Sequence, residues 1–297
     1  MSESPTVLFV GHINWDVVLH TEEIPSPDFS SEIDRYQGTI GGSAANSAVL
    51  SDSLFVDTHL AGSIGDDQFG NRIRDQLSET GIQTHFHNTD IGTTIIYALI
   101  TPDSDPRYFD RNVGVGEYEP ELVSSWDEID HVHVTSFSAL SEDFAKKAKD
   151  AGCTVSFNPS QGYSEFDCST VVDLADVVIL NKREAEMFRQ RHHLGKVIED
   201  DTVIIITHGG AGCTAYSTEG VMTHSGFSVD TLKDTVGAGD AFVSGFLSQW
   251  VQGTHSIEEC IQYANACGAT AIQETGSPQN LSQETIQTLI ENDDTKY

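Results

Sequence analysis

Short aliphatic runs alternate along this chain with stretches whose apolar positions recur every three or four residues. Residues 6–10, 131–135, 154–157, 177–180 and 203–207 are runs of the first kind. They are apolar at consecutive positions rather than at every second one. That suits strands of a parallel sheet covered on both faces. Between them, residues 43–54 (rich in small side chains), 68–79, 142–151, 183–191 and 257–273 read as helices. The clearest helix is 240–250. Its apolar positions are Phe242, Val243, Phe246, Leu247 and Trp250, with Val251 following, and Gly253 stops it. Strands alternating with helices predict a layered α/β protein.

Two regions break the alternation. Residues 21–40 carry few helical signals. Residues 93–101, a turn at 102–106 and residues 107–113 read as a β-hairpin. Together they predict a small accessory sheet beside the main body. No internal repeat, low-complexity linker or second-domain boundary is visible, so one domain is expected over residues 1–297, with accessory strands inserted at about 13–40 and 92–113.

Charge changes the picture. The 297 residues hold 46 Asp and Glu against 15 Lys and Arg, a net charge of −31. Nucleic acid and anionic membrane surfaces would be repelled, so neither is expected as a partner. The aliphatic runs are far shorter than the ~20 residues a membrane span needs. No basic segment followed by an apolar stretch marks a secretory signal, so a cytoplasmic protein is expected. Five cysteines at irregular spacing do not read as a disulfide framework. The acidic residues are spread in short clusters such as Asp66-Asp67 and Glu258-Glu259 rather than gathered in a tail. A whole-surface carboxylate coat suits concentrated salt, where the Debye length at ~1 M is only about 3 Å. The plainer alternative is an ordinary acidic protein.

Two segments carry candidate chemistry. Asp234-Thr235-Val236-Gly237-Ala238-Gly239-Asp240 opens the amphipathic helix at 240–250. Gly237 and Gly239 let backbone N–H groups approach a ligand, and the helix N-terminus adds unsatisfied donors and partial positive charge, which together make an anion hole. A carboxylate there, Asp240, would repel a merely bound phosphate. It makes sense as the acceptor of a proton from a hydroxyl that attacks the phosphate. On its own, the same segment also fits a Gly turn with Asp complementing the helix dipole. The second segment is Gly41-Gly42-Ser43-Ala44-Ala45-Asn46, two glycines entering a small-residue helix.

In this order and about 190 residues apart, these segments resemble the two signature motifs of the PfkB, or ribokinase, family of carbohydrate kinases. The resemblance extends over nearly the whole chain. Gly11-His12-Ile13-Asn14-Trp15-Asp16 looks like the family's substrate-contacting segment, and Gly62-Ser63-Ile64-Gly65-Asp66-Asp67-Gln68-Phe69-Gly70 matches another recurrent stretch. Asn181-Lys182-Arg183-Glu184 is similar to its Asn-x-x-Glu element, and Thr207-His208-Gly209-Gly210-Ala211-Gly212 to its nucleotide-binding turn. The resemblance implies a three-layer α/β/α sandwich with a small β-sheet lid, a phosphotransferase using ATP and Mg²⁺, and a lid that can also form a homodimer interface.

Carried over residue by residue, Asp240 becomes the catalytic base and Gly237, Ala238 and Gly239 the anion hole. Asn181 and Glu184 organise Mg²⁺ and phosphate, largely through water. Thr207, Gly209 and Gly212 contact the nucleotide, with Asn265 near the adenine. Asp16 holds substrate hydroxyls, with Asn14, Gly41, Gly42 and Asn46 alongside. Asp234, with the loop around Gly276, marks a site for a monovalent cation such as K⁺. Position 43 departs from the ribokinase pattern, being Ser where Lys is usual, and His12 departs as well.

The acceptor is left open. A sugar with a primary hydroxyl is the main reading. A nucleoside is the nearest rival, with Trp15, Tyr97 and Tyr108 as stacking platforms. A sugar phosphate or sugar acid is another, gripped by Arg107 or Arg111. Arg35, Arg107 and Arg111 all fall in the lid segments, where surface ion pairing is the competing explanation. A non-catalytic sugar- or nucleotide-binding protein would not need Asp240 beside the intact Gly-Ala-Gly loop. His131-x-His133, His85-x-His87 and His192-His193 lack the company of further ligands and read as packed histidines. Cys260 and Cys267 read as core.

The charge makes a direct prediction. The melting temperature rises steeply as KCl goes from millimolar to molar, because screening relieves repulsion among the carboxylates. Thermal unfolding at a series of KCl and NaCl concentrations checks it; a flat response refutes salt adaptation.

Overall fold

The computed structural model describes residues 4–54, 56–102, 104–111, 118–135, 140–160, 168–192, 194–199, 201–274 and 280–293. The chain begins β1 (Thr6–Val10), β2 (Asn14–His20), β3 (Arg35–Gly41), α1 (Ser43–Ser53), β4 (Asp57–Gly65), α2 (Gln68–Leu77), β5 (Gln83–Thr89), β6 (Thr94–Thr101) and β7 (Ser104–Arg111). It continues with β8 (His131–Thr135), α3 (Ser141–Ala151), β9 (Thr154–Asn158), α4 (Ser169–Leu174), β10 (Val177–Asn181), α5 (Lys182–Arg191), α6 (Leu194–Glu199) and β11 (Val203–Thr207). The last elements are β12 (Cys213–Ser217), β13 (Gly220–His224), α7 (Ala238–Trp250), α8 (Ile257–Ala271) and α9 (Gln283–Asp293).

The main sheet runs β13-β12-β11-β10-β9-β8-β1-β4-β5. It is parallel from β11 to β5, with β12 and β13 added antiparallel at one edge. Alternate residues of each strand feed two separate cores. Val7, Phe9, Val177 and Ile179 pack with α1, α2, α7 and α8. Leu8, Val10, Val178 and Leu180 pack with α3, α4 and α5. The consecutive apolar residues seen in the sequence are therefore a consequence of helices on both faces, and the architecture is a three-layer α/β/α sandwich.

A second sheet, β3-β2-β6-β7, stands apart. The expected hairpin is present as β6 and β7, antiparallel, with an irregular register between Leu99 and Thr101. Residues 112 and 113, placed in the hairpin by the sequence, lie outside the described residues. The β12–β13 hairpin, β4, β5 and α9 went unread in the sequence. β5, Gln83–Thr89, has the polar composition of a sheet edge rather than an apolar run.

His131 and His133 are packed. His131 Nε2 and His133 Nδ1 both lie 2.7 Å from Ser156 Oγ, and both rings are fully buried. Burial pushes their basicity down, His133 to about 3. His85 Nε2 lies 3.1 Å from His59 Nδ1. Among the described residues no cluster of three or more His, Cys, Asp or Glu is arranged as metal ligands. His193 lies outside the described residues. Cys260 and Cys267 are free and buried. No described helix is long and apolar enough to cross a membrane.

Helices α7 and α8 meet at their small residues. A Cβ on Gly245 would lie 2.6 Å from Cys267 Sγ and 3.1 Å from Ala264 Cα. Gly245→Val therefore overpacks this contact and lowers stability by about 1–3 kcal/mol. Chemical denaturation at fixed salt measures the loss; an unchanged midpoint contradicts it.

Candidate active site

The site lies where the carboxyl ends of the parallel strands meet the N-termini of α1 and α7, the usual ligand crevice of open α/β sheets. Gly42 (φ 91°) is the N-cap of α1, and its Cα lies against the His12 carbonyl, so only glycine fits there. Gly237 (φ 77°) plays the same part at α7. No side chain among the described residues caps α7; Ala238 N–H makes only a long 3.4 Å bond to the Thr235 carbonyl, and the Gly239 N–H is available to an anion. A Cβ on Gly239 would meet nothing within 4 Å, which leaves open space beside those donors.

Asp240 sits in that first turn. Asn46 of α1 donates to its Oδ2 at 2.9 Å, and the Ser43 hydroxyl also bonds it. Burial pushes the Asp240 carboxyl up to about 6, while the bonds from Asn46 and Ser43 pull it back. Asp16, on β2, is the second carboxylate. Burial first, then the charge of Asp240, push it up to about 7. Its carboxyl lies where a Gly41 side chain would stand.

Three buried acceptors here have no hydrogen-bond partner among the described residues: Asn14 Oδ1, Asp16 Oδ1 and Asn46 Oδ1. Buried acceptors without partners are costly, and these three converge on the residues around Asp240. They ask for donors, and several hydroxyls on one small molecule would supply them.

The lid register sorts the remaining expectations. Asp16 pairs with Thr39 and Ile96, and Ile96 with Asp110. Paired residues share a face, and faces alternate along each strand. Tyr108, paired with Ala98, therefore lies on the Asp16 face. Burial, then the charges of Asp234 and Asp16, push its phenol up. Arg107 and Arg111 pair with Leu99 and Ile95 and lie on the opposite face, with Trp15. Arg111 reaches back to the Ile91 carbonyl at 3.4 Å. The structure thus does not bring Arg107 or Arg111 to the pocket of Asp16. A two-residue alternation decides this, and the sequence could not fix its phase without the strand pairing. Trp15 is buried against Phe69 beneath the lid, and Tyr97 shares its face, so of the three aromatic platforms only Tyr108 faces the pocket.

The nucleotide end is assembled from the tips of β10 and β11, where Asn181 and Thr207 are register neighbours. Asn181 and Glu184 form a capping box. Glu184 N–H donates to Asn181 Oδ1, and Asn181 N–H to Glu184 Oε2, both at 2.9 Å. Gly209 and Gly212 bracket the turn after β11. Asn265, buried on α8, donates to the Ile261 carbonyl at 2.9 Å and lies 3.2 Å from Cys213 Sγ and His224 Nδ1. Asp234 Oδ1 accepts from Val236 N–H at 3.0 Å, which shapes the loop before Gly237. Gly276 lies outside the described residues. Ser43 is the partner of Asp240 that sequence reasoning missed. Its spacing from Asn46, three residues on one helix face, is the signal that could have found it.

A carboxylate in the first turn of a helix, open space at Gly239 and unpartnered acceptors beside a small β-sheet form an arrangement suited to phosphoryl transfer to an alcohol. The sequence profile of the pfkB family of carbohydrate kinases matches residues 4–284. The chain belongs to that family and is a phosphotransferase of the ribokinase fold. A protein of Halopiger xanaduensis described as an ATP-dependent ribose-1-phosphate kinase is 35% identical over 277 residues, covering 91% of this chain and 93% of that one. A nucleoside kinase of Methanothermobacter thermautotrophicus is 26% identical, covering 95% and 94%. The crystal structure of the Methanocaldococcus jannaschii nucleoside kinase superposes with a TM-score of 0.84 at 21% identity, over 98% of this chain and 100% of that one. The Arabidopsis thaliana ribokinase with ribose and ATP gives 0.83 at 18%, over 97% and 99%. The structural likenesses establish the fold.

Removing the base while keeping the shape, as in Asp240→Asn, lowers kcat at least ~10²-fold with nucleotide binding retained. A kcat within a few-fold of wild type refutes Asp240 as base. A base works deprotonated, so activity is lost as pH falls through about 6. Asn46→Ala removes a bond that favours the ionised form, so the acid limb of kcat/KM moves to higher pH. A limb that stays put or moves down contradicts the assigned bond.

Proposed function

We propose that the chain is an ATP- and Mg²⁺-dependent kinase that phosphorylates the primary hydroxyl of a ribosyl compound, with ribose 1-phosphate as the leading acceptor. The observation that carries this is the trio of unpartnered acceptors on Asn14, Asp16 and Asn46 around Asp240, which fits a polyhydroxylated acceptor. The relative described as a ribose-1-phosphate kinase, matched over nearly all of both chains, directs the choice among such acceptors.

Asp16, Asn14 and Asn46 orient the acceptor through its ring hydroxyls, and Asp240 takes the proton from the primary hydroxyl as its oxygen attacks the γ-phosphorus of ATP. ADP leaves, and the N–H groups of Gly237, Ala238 and Gly239 face the developing charge. The uncapped α7 terminus and the open space at Gly239 fit a phosphoryl group. Glu184, fixed by its capping box, is suited to hold Mg²⁺ through water, since Mg²⁺ commonly needs only one or two carboxylates beside phosphates. When bound, Mg²⁺ neutralises phosphate charge. Thr207, Gly209, Gly212 and Asn265 line the nucleotide end, and Asp234 is the candidate neighbour of a monovalent cation such as K⁺. Lid closure excludes the water that would otherwise hydrolyse ATP.

The nucleoside reading stands second, because Tyr108 is 59% exposed on the acceptor face and can stack on a base. An ADP-release screen at molar KCl over ribose 1-phosphate, ribose, hexoses, sugar acids and nucleosides decides between them. The highest kcat/KM is expected for ribose 1-phosphate. A tenfold preference for a nucleoside installs the second reading. Arg107→Lys and Arg111→Lys leave the acceptor KM within about twofold, as expected of exposed groups on the lid face opposite Asp16.

The far face of the lid supports a homodimer. Tyr36 and Phe109, 73% and 59% exposed, lie there with the partly buried Leu19 and Tyr97. An apolar patch of this kind marks an interface. Tyr36→Glu combined with Phe109→Glu converts a dimer to a monomer in light scattering; an unchanged mass contradicts the interface. The acidic coat supports work in concentrated salt, and dependence on ATP fits the cytoplasm.

A further inference from the structure

Of the three lid arginines, only Arg35 shares the face of Asp16. His20 pairs with Arg35, Val18 with Gln37, and Asp16 with Thr39, so His20, Val18 and Asp16 lie in successive rows of one face. Arg35 Nη2 lies 3.0 Å from His20 Nε2 and donates to it. This contact fixes one edge of the guanidinium and leaves other N–H groups for a ligand. Among the described residues no carboxylate is paired with Arg35, although the chain has 46 Asp and Glu.

Asp16 and His20 are four residues apart on one strand, about 13 Å at the usual rise. The row between them is Val18 with Ala98, and Tyr108 beside Ala98. It has no charged side chain on β2, β6 or β7. A furanose with its 5-hydroxyl at Asp240 and its 2- and 3-hydroxyls at Asp16 turns its C1 substituent away from Asp240. The lid face then leads that substituent past Val18 and Ala98 toward the Arg35 guanidinium beside His20.

We propose that Arg35, oriented by His20, is the specificity-determining residue that binds a phosphate monoester on C1 of the acceptor. This rests on the ribose 1-phosphate reading given above. A planar guanidinium offers a phosphate two parallel donors, which a lysine does not copy. In so acidic a chain, an arginine on this face also gives a dianionic acceptor an attractive contact on the lid.

Steady-state kinetics on the full chain at constant high salt tests this with Arg35→Gln, Arg35→Lys and His20→Ala. Each is assayed with ribose 1-phosphate and with ribose, at varied ATP. Arg35→Gln is expected to raise KM for ribose 1-phosphate at least tenfold, while kcat, KM for ATP and KM for ribose stay within about twofold. Arg35→Lys recovers only part of the loss, and His20→Ala raises the same KM by less than Arg35→Gln. An unchanged KM for ribose 1-phosphate in Arg35→Gln overturns the role of Arg35 and leaves the acceptor reading intact. An equal rise for ribose and ribose 1-phosphate also overturns it, since the effect is then structural. A wild-type enzyme that prefers ribose or a nucleoside overturns the acceptor reading and this role with it.

Discussion

Asn46 and Asp240 are 194 residues apart in sequence, and the 2.9 Å bond between them joins the two helices that open onto the site. Around it, Ser43 adds a second donor to Asp240, and one turn deeper Ser244 Oγ donates to the Ser47 carbonyl at 2.9 Å. Helix α1 is thereby stitched to α7 over two turns. The base is held in one orientation, and its proton affinity is a balance between burial and those two donors. Each neighbouring feature is positioned by this seam. Gly42 turns β3 into α1 so that Asn46 arrives there, and Gly237 turns the Asp234 loop into α7 so that Asp240 does.

The acceptor pocket is finished by the lid. Asp16 belongs to β2, a strand of the lid sheet, and its proton affinity is raised by burial and then by the charge of Asp240. Burial raises the proton affinity of two carboxylates here, and Asn14 Oδ1, Asp16 Oδ1 and Asn46 Oδ1 have no protein partner among the described residues; both are costs of desolvation. A ligand rich in hydroxyl donors relieves both costs together. In the proposed reaction, binding energy from ring hydroxyls favours the arrangement in which Asp16 and Asp240 lie close, which is also the arrangement that would align the primary hydroxyl with Asp240.

Much of this was legible in the sequence where local rules suffice. The consecutive apolar residues of 177–180 and 203–207 could only be covered on both faces, and β10 and β11 are. Gly237 and Gly42 were legible as glycines at helix entries, and both have positive φ. The order of the motifs announced the family. What resisted reading depended on pairing between distant segments. Arg107 and Arg111 looked like substrate clamps because they fall in the lid, yet the register with β6 turns them away from Asp16. Arg35 looked no different from them until its pairing with His20 put it on the acceptor face. β5 was missed because an edge strand needs no apolar run, and Ser43 because its role exists only once α7 is alongside.

The central claim is that the acceptor's primary hydroxyl meets Asp240 while its ring hydroxyls satisfy Asn14, Asp16 and Asn46. A crystal structure of the protein with ribose 1-phosphate and a non-hydrolysable ATP analogue tests it most directly. The account predicts the 5-hydroxyl oxygen within hydrogen-bond distance of the Asp240 carboxylate, with the 2- and 3-hydroxyls on Asp16 and its neighbours. An acceptor bound with its hydroxyls on other residues, or with Asp240 facing no hydroxyl at all, would contradict it.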